Sequence, residues 1–141
     1  VLPERIDAGF LEAWSALPLQ KVVVVHANHA REIDAAVRTA VAGLRATDTT
    51  VLNQSVLLRG VNDRVDDLVD LSEALFEAGV LPYYLHVLDR VAGAAHFDLP
   101  LETAQRLAAE LAARLPGYLV PRLVREEPGA AAKTVLPPAS R

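Results

Sequence analysis

The sequence predicts an α/β fold with about four parallel strands, and three observations carry that expectation. Apolar, β-branched stretches occur at residues 22–25, 51–58, 80–88 and 118–124. The first three begin about 30 residues apart, the length that a parallel strand–helix–strand crossover needs. The segments between them repeat their apolar residues at helical spacing. The stretches themselves are nearly continuous in apolar residues, as expected where helices cover both faces of a sheet or where a barrel is filled.

Taken in chain order, residues 4–17 read as an opening helix, with Ile6, Phe10, Ala13, Trp14 and Leu17 on one face. The first strand, 22–25, follows. Ile33, Val37, Val41 and Leu44 then mark a helix that ends near Gly43. After the strand at 51–58, Val65, Leu68, Leu71, Ala74, Leu75 and Ala78 mark the next helix, which ends near Gly79. The strand at 80–88 is followed by a helix that opens at Pro100-Leu101-Glu102, with an acidic residue in its first turn, and carries Leu107, Leu111 and Leu115. Pro116-Gly117 separates it from the strand at 118–124. Residues 126–141 are rich in proline, glycine and alanine and read as loop or tail. Residues 1–125 are therefore taken as one part of a domain and 126–141 as a separate C-terminal segment. Periodicity alone leaves two arrangements open, an open doubly wound sheet or part of a (β/α) barrel. In either, functional groups are expected at the carboxyl ends of strands.

Composition narrows the function classes. The chain of 141 residues is 52% apolar and 23% charged, with a net charge of −4 and 5% aromatic residues. There is no basic run, so nucleic-acid binding through a charged patch is not expected. No apolar run approaches the roughly 20 residues of a membrane helix, and the expected setting is soluble and cytoplasmic. Cysteine is absent, which removes disulfides, thiolate catalysis and any iron–sulfur site built by this chain alone. Methionine is absent too, and the chain opens on Val1, so it reads as a processed or partial polypeptide.

Each strand end carries candidate chemistry. His26-Ala27-Asn28-His29 places two histidines three apart, which fits metal ligation or, more simply, a loop that caps the next helix. Asn53-Gln54-Ser55 puts amides inside an apolar strand, with Gln54 facing the opposite side from its neighbours. These are either satisfied core groups or ligand contacts. Gly60-Val61-Asn62-Asp63 reads as a turn plus helix cap. Asp89 ends the third strand, where a carboxylate binds a cation or caps a helix, while His86 before it reads as a core or edge histidine. Lys133 follows a run of small residues, where a ligand can approach the backbone closely. It is either a solvated tail lysine or a Schiff-base amine. The only other lysine, Lys21, begins a strand and is expected to be solvated.

In order, His26-Ala27-Asn28-His29, the run from Asn53 to Asp63, Pro82-Tyr83-Tyr84 through Asp89, Gly93-Ala94-Ala95-His96-Phe97 and Gly117-Tyr118-Leu119-Val120-Pro121 resemble the C-terminal half of the lysine 2,3-aminomutases. The wording around Leu85-His86-Val87-Leu88-Asp89 is most similar to the branch that supplies (R)-β-lysine for elongation factor P. The resemblance covers nearly the whole chain. It implies about half of a partial TIM barrel of the radical S-adenosylmethionine type, with an irregular C-terminal tail. It further implies an isomerase that uses pyridoxal phosphate, S-adenosylmethionine and a 4Fe–4S cluster to convert (S)-α-lysine to (R)-β-lysine. By the same resemblance Lys133 carries pyridoxal phosphate as a Schiff base, Asp89 and Glu126 hold the distal ammonium of the lysine substrate, and His26 and Gln54 lie near S-adenosylmethionine.

Two local departures accompany the resemblance. Alanines stand at 130–132, where clostridial-type relatives carry glycines, and Glu126 stands where those enzymes use aspartate. The family's CxxxCxxC loop and its phosphate- and carboxylate-gripping arginines lie upstream of the matched region. The expected partner is therefore a missing N-terminal half of the same protein, and the chain by itself is expected to be inactive. Two further readings stand beside this one: a non-catalytic half-barrel that self-associates, and an unrelated open-sheet cofactor-binding domain.

Overall fold

The computed structural model describes residues 1–88 and 98–140. Strands β1 (Lys21–His26), β2 (Thr49–Leu57), β3 (Leu81–Val87), β4 (Arg122–Arg125) and β5 (Thr134–Val135) form one sheet in the order β1-β2-β3-β4-β5. The first three pairings are parallel and the last is antiparallel. Helices α1 (Ala8–Ser15), α2 (Ala35–Arg45), α3 (Val65–Glu77) and α4 (Leu101–Arg114) complete the fold.

The strand order decides between the two arrangements that periodicity left open. A doubly wound sheet reverses direction at a switch point and so buries both faces. Here the parallel strands run in sequence order without reversal. The apolar side chains of α2, α3 and α4 pack against Val51, Leu57, Leu85 and Leu123, all on one face. Leu11 and Trp14 of α1 join that layer at the β1 side. The other face keeps Val22 and Val24 of β1 exposed. One helical layer outside and one uncovered face inside make this an arc of a (β/α) barrel. Among the described residues no helix is long and apolar enough to cross a membrane.

Local sequence accounts for the element ends. The expected opening helix is split: Pro3–Arg5 is a single 3-10 turn, and Asp7 restarts the helix by accepting a hydrogen bond from the Phe10 N–H at 2.8 Å. Asp34 caps α2 in the same way through Val37. Gly43 lies inside the last turn of α2, where Leu11 packs against it. Gly79, at φ +87°, closes α3, and the N–H groups of Gly79 and Val80 donate to the carbonyls of Phe76 and Leu75. The fourth strand is shorter than its apolar run. Gly117–Leu119 forms a 3-10 turn, and Pro121, which lacks an N–H, stands just ahead of β4.

The tail departs most from the sequence expectation. Residues 126–141 read as loop, yet Thr134–Val135 add an antiparallel strand, with Val124 opposite Val135 and Arg125 opposite Thr134. Leu136 is buried in the core beneath α4, and the Ala139 N–H donates to the Gln105 carbonyl at 3.0 Å. A two-residue strand is too short to show a period, so pairing partners rather than local pattern create it.

Three asparagines tie the carboxyl ends of β1 and β2 together. Asn53, buried within β2, accepts from the Ala27 N–H at 2.8 Å and donates to the Ala27 carbonyl at 3.1 Å. Asn28 accepts from the Val56 N–H at 2.8 Å. Asn62 is fully buried. It donates to the carbonyls of Asn28 and Val56 at 2.9 Å each and accepts from the Leu58 N–H at 2.8 Å. Glu32 closes the turn from the other side by accepting from the N–H groups of Asn28 and His29. Of the two readings open for Asn53, satisfied core group is the one observed. The expected cap in the turn at 60–63 is replaced by this bridge, and α3 begins at Val65 without a side-chain cap.

Removing the Asn62 amide leaves two carbonyls and one N–H without this partner. Asn62→Ala is expected to destabilise the chain by about 2–4 kcal/mol. Urea unfolding checks this: the midpoint should fall with little change in slope, and an unchanged midpoint would count against the bridge.

Candidate functional site

The uncovered face gathers polar side chains toward the carboxyl ends of the strands. His26 ends β1 and stands in register with Gln54 of β2. Gln54 pairs with Tyr84, and one step on, Val56 pairs with His86 of β3. A register shift between Asn53 and Gln54 passes over Tyr83, so Tyr83 and Tyr84 come together, with ring centroids 3.8 Å apart and a 3.0 Å hydroxyl contact. The hydrogen bond that Tyr83 donates there raises its phenol above the ordinary value.

A cleft of about 250 Å³ is lined by His26, Gln54, Val56, His86, Val87, Leu88 and Glu126. The His86 Nε2 lies 3.2 Å from Gln54 Oε1. An amide oxygen only accepts, so Nε2 carries the proton of this bond. The His86 ring meets the Tyr84 ring edge-on, with centroids 5.9 Å apart. Burial, and then the Lys133 charge, hold the His86 imidazole below the ordinary histidine value, while Glu126 pulls upward and His26 downward. A proton on this imidazole is thereby disfavoured.

The Lys133 ammonium donates to the Glu126 carboxylate, and this contact follows from strand register. Val124 faces Val135, Arg125 faces Thr134, and the next antiparallel step outward sets Glu126 opposite Lys133. The Lys133 side chain is 27% exposed against 66% for Glu126, so the lysine is the more enclosed partner. Its ammonium also stands 5.8 Å from the centre of the Tyr84 ring. The hydrogen bond from Lys133, followed by the Lys133 charge, holds the Glu126 carboxyl below the ordinary carboxylate range.

The structure thus brings His26, Gln54 and Glu126 to one cleft and ties Lys133 to that cleft through Glu126. Asp89, the second carboxylate expected at a substrate, lies outside the described residues, as do residues 93–97. His29 turns away from the metal reading. Its Nδ1 accepts from the Arg31 N–H at 3.2 Å, and its Nε2 lies 3.8 Å from Asp67. Lys21 sits at the start of β1 with its ammonium 3.5 Å from the Leu17 carbonyl. The alanine run causes no backbone difficulty, because Gly129 (φ +80°) is the one position in 126–133 with positive φ.

Sequence reasoning read His86 as a core or edge histidine and did not single out Tyr84, and the structure brings both to the cleft side of β3. Alternation along β3 puts both on one side of the strand, and that parity was the available signal. As for the implied cofactors, a primary amine beside an aromatic ring on the barrel side fits a carbonyl cofactor at Lys133. A chain without cysteine offers no thiolate to an iron–sulfur cluster, so this chain does not fit one by itself.

A carboxyl held low keeps its ion pair as pH falls through the usual carboxylate range and loses it only below. Lys133→Gln should therefore raise the titration midpoint of the Glu126 carboxyl toward the ordinary value, read from its side-chain carbon resonance. An unmoved midpoint would refute the pairing.

Comparison with known proteins places the chain among relatives. No family model matches the chain. The chain is 51% identical to the L-lysine 2,3-aminomutase of Escherichia coli (strain K12) over 136 residues, which is 96% of this chain and 40% of that protein. It is 46% identical to the L-lysine 2,3-aminomutase of Haemophilus influenzae, again over 96% of this chain and 40% of the relative. The L-lysine 2,3-aminomutase of Clostridium subterminale is 34% identical over 98% of this chain. A radical SAM methyltransferase from Sphaerobacter thermophilus shares the fold, with a TM-score of 0.57 at 21% identity over 83% of this chain and 37% of that one. Over nearly its whole length the chain is homologous to L-lysine 2,3-aminomutases, and it spans about 40% of the length of the Escherichia coli and Haemophilus influenzae relatives.

Proposed function

We propose that this chain is the C-terminal part of an L-lysine 2,3-aminomutase, that the whole protein converts (S)-α-lysine to (R)-β-lysine in the cytoplasm, and that the product serves elongation factor P. The observation that carries the reading is the register pairing of Lys133 with Glu126 at a cleft bordered by His26 and Gln54. The homologous aminomutases support it, and so does the barrel arc. Relatives more than twice as long as this chain support a preceding part of the same protein. That part would pair with the free edge of β1, cover Val22 and Val24, and supply the cysteines for the 4Fe–4S cluster.

In this reading Lys133 holds pyridoxal phosphate, which when bound supplies an electron-accepting ring for amino-group migration. Tyr84 gives the amine an aromatic wall that limits water on one side. Glu126 and Asp89 hold the distal ammonium of lysine, a charge that needs anionic partners once it leaves water. His26 and Gln54 border S-adenosylmethionine from the ends of β1 and β2. Strand pairing and the asparagine bridge keep these groups in place, so positioning is the main contribution of this chain.

The two lysines make a direct test possible, because Lys21 is an internal control. The chain is incubated with pyridoxal phosphate and reduced with borohydride, and the adduct is located by peptide mass spectrometry. Modification is expected at Lys133 ahead of Lys21 and the α-amino group, with loss of the signal in Lys133→Ala. Equal labelling of Lys21 would overturn the assignment. The chain by itself is expected to form no β-lysine from lysine, and product formation without the preceding part would contradict the proposal.

A further inference from the structure

We propose that His86 is a positioning residue of this cleft: its imidazole, fixed by Gln54 in the cleft that Glu126 also lines, reserves the Glu126 carboxylate for a primary ammonium. The proposal rests on the reading of Glu126 as an ammonium-holding carboxylate, and in this chain Lys133 occupies that place.

The argument begins with geometry. His86 and Glu126 line the same cleft, and Lys133 contacts Glu126. His86 stands two residues beyond Tyr84, the register partner of Gln54, so the Gln54 and His86 side chains share a face and meet diagonally at 3.2 Å. The amide oxygen accepts from Nε2 and so holds the ring in one orientation, and the edge of Tyr84 bounds it on another side. An unpaired histidine on an open sheet face would turn freely and take up a proton near neutrality. Here the ring is held and half-buried.

Charge supplies the function. Among the described residues, the charged and titratable groups around His86 include Lys133 ahead of β5, Glu126 after β4, His26 at the end of β1 and, on β3 itself, the Tyr84 phenol whose ring meets it edge-on. Burial and Lys133 disfavour the imidazolium, and Glu126 favours it. A protonated His86 would be a second cation beside one carboxylate and would compete with the ammonium for it. An uncharged His86 leaves Glu126 with one unit of negative charge for one ammonium. The imidazole thus sets the selectivity of the carboxylate without touching the amine. Neutral amide stand-ins should preserve this role, and a fixed cation should abolish it.

Two measurements on the full chain test this. The first follows the His86 imidazole by NMR titration. Lys133→Gln should move its midpoint up and Glu126→Gln should move it down. The second measures acylation of Lys133 relative to Lys21 at fixed pH by mass spectrometry. His86→Gln, an uncharged hydrogen-bonding replacement, should leave the ratio unchanged. His86→Arg should raise it, because the new cation takes Glu126 from Lys133. Midpoints that do not move, or a ratio that rises equally in His86→Gln and His86→Arg, would overturn the proposal and leave His86 a packing residue. Neither measurement requires pyridoxal phosphate or β-lysine formation. A chain that failed the borohydride test yet showed both effects would refute the Schiff-base assignment of Lys133 and leave the coupling of His86 intact.

Discussion

The arrangement depends on how two parallel strands end. Beyond the last ladder bond the backbone amides of β1 and β2 enter a turn, and a buried amide without a partner costs free energy comparable to a lost hydrogen bond. Asn53, Asn28 and Asn62 supply the missing partners from side chains, and Glu32 completes the set. Each asparagine carries both a donor and an acceptor and so can imitate a peptide group. The ladder is in effect continued past the strand ends. His26 and Gln54 leave the sheet from this stiffened edge. Their direction into the cleft is a by-product of satisfying the backbone.

Parts of this were legible in the sequence and parts were not, for physical reasons. The βα repeat was legible because apolar spacing follows directly from the side-chain geometry of helices and strands. Asn53 was visible as a polar residue in an apolar strand, but sequence could not say whether the amide faced a ligand or a neighbouring backbone, because both satisfy the same chemistry. Asn62 sat in a segment that any turn would explain. Lys133 stood out as one of two lysines, placed after a run of small residues, and Glu126 by resemblance to a family, whereas their direct contact depends on a two-residue strand that no periodicity can reveal. His86 read as an ordinary histidine because its neighbours come from β1, β2 and the tail, which are far apart in the sequence.

The two faces of the sheet divide the work. One is covered by α1–α4 and holds the apolar core that stabilises the strands. The other carries the amine, the carboxylate, the imidazoles and the amide, beside exposed Val22 and Val24. A charged group on the covered face would need a buried partner. On the uncovered face the same group can meet a ligand. Strand alternation therefore sends the apolar core to one face and these polar groups to the other, and adjacent residues such as Asn53 and Gln54 point to different faces.

The hairpin that joins β4 to β5 has a consequence for how such sites are recognised. Glu126 and Lys133 face one another because the pairs behind them, Arg125 with Thr134 and Val124 with Val135, set their register. The six residues between them form only the tip. A tip can gain or lose residues while the strands below keep their pairing, since the closure cost of a loop grows slowly with its length. The interval between carboxylate and lysine along the chain is thus a free variable, and their separation in space is not. A search pattern with a fixed gap would discard tips of other lengths that preserve the same contact, whereas one anchored on the flanking strands would retain them.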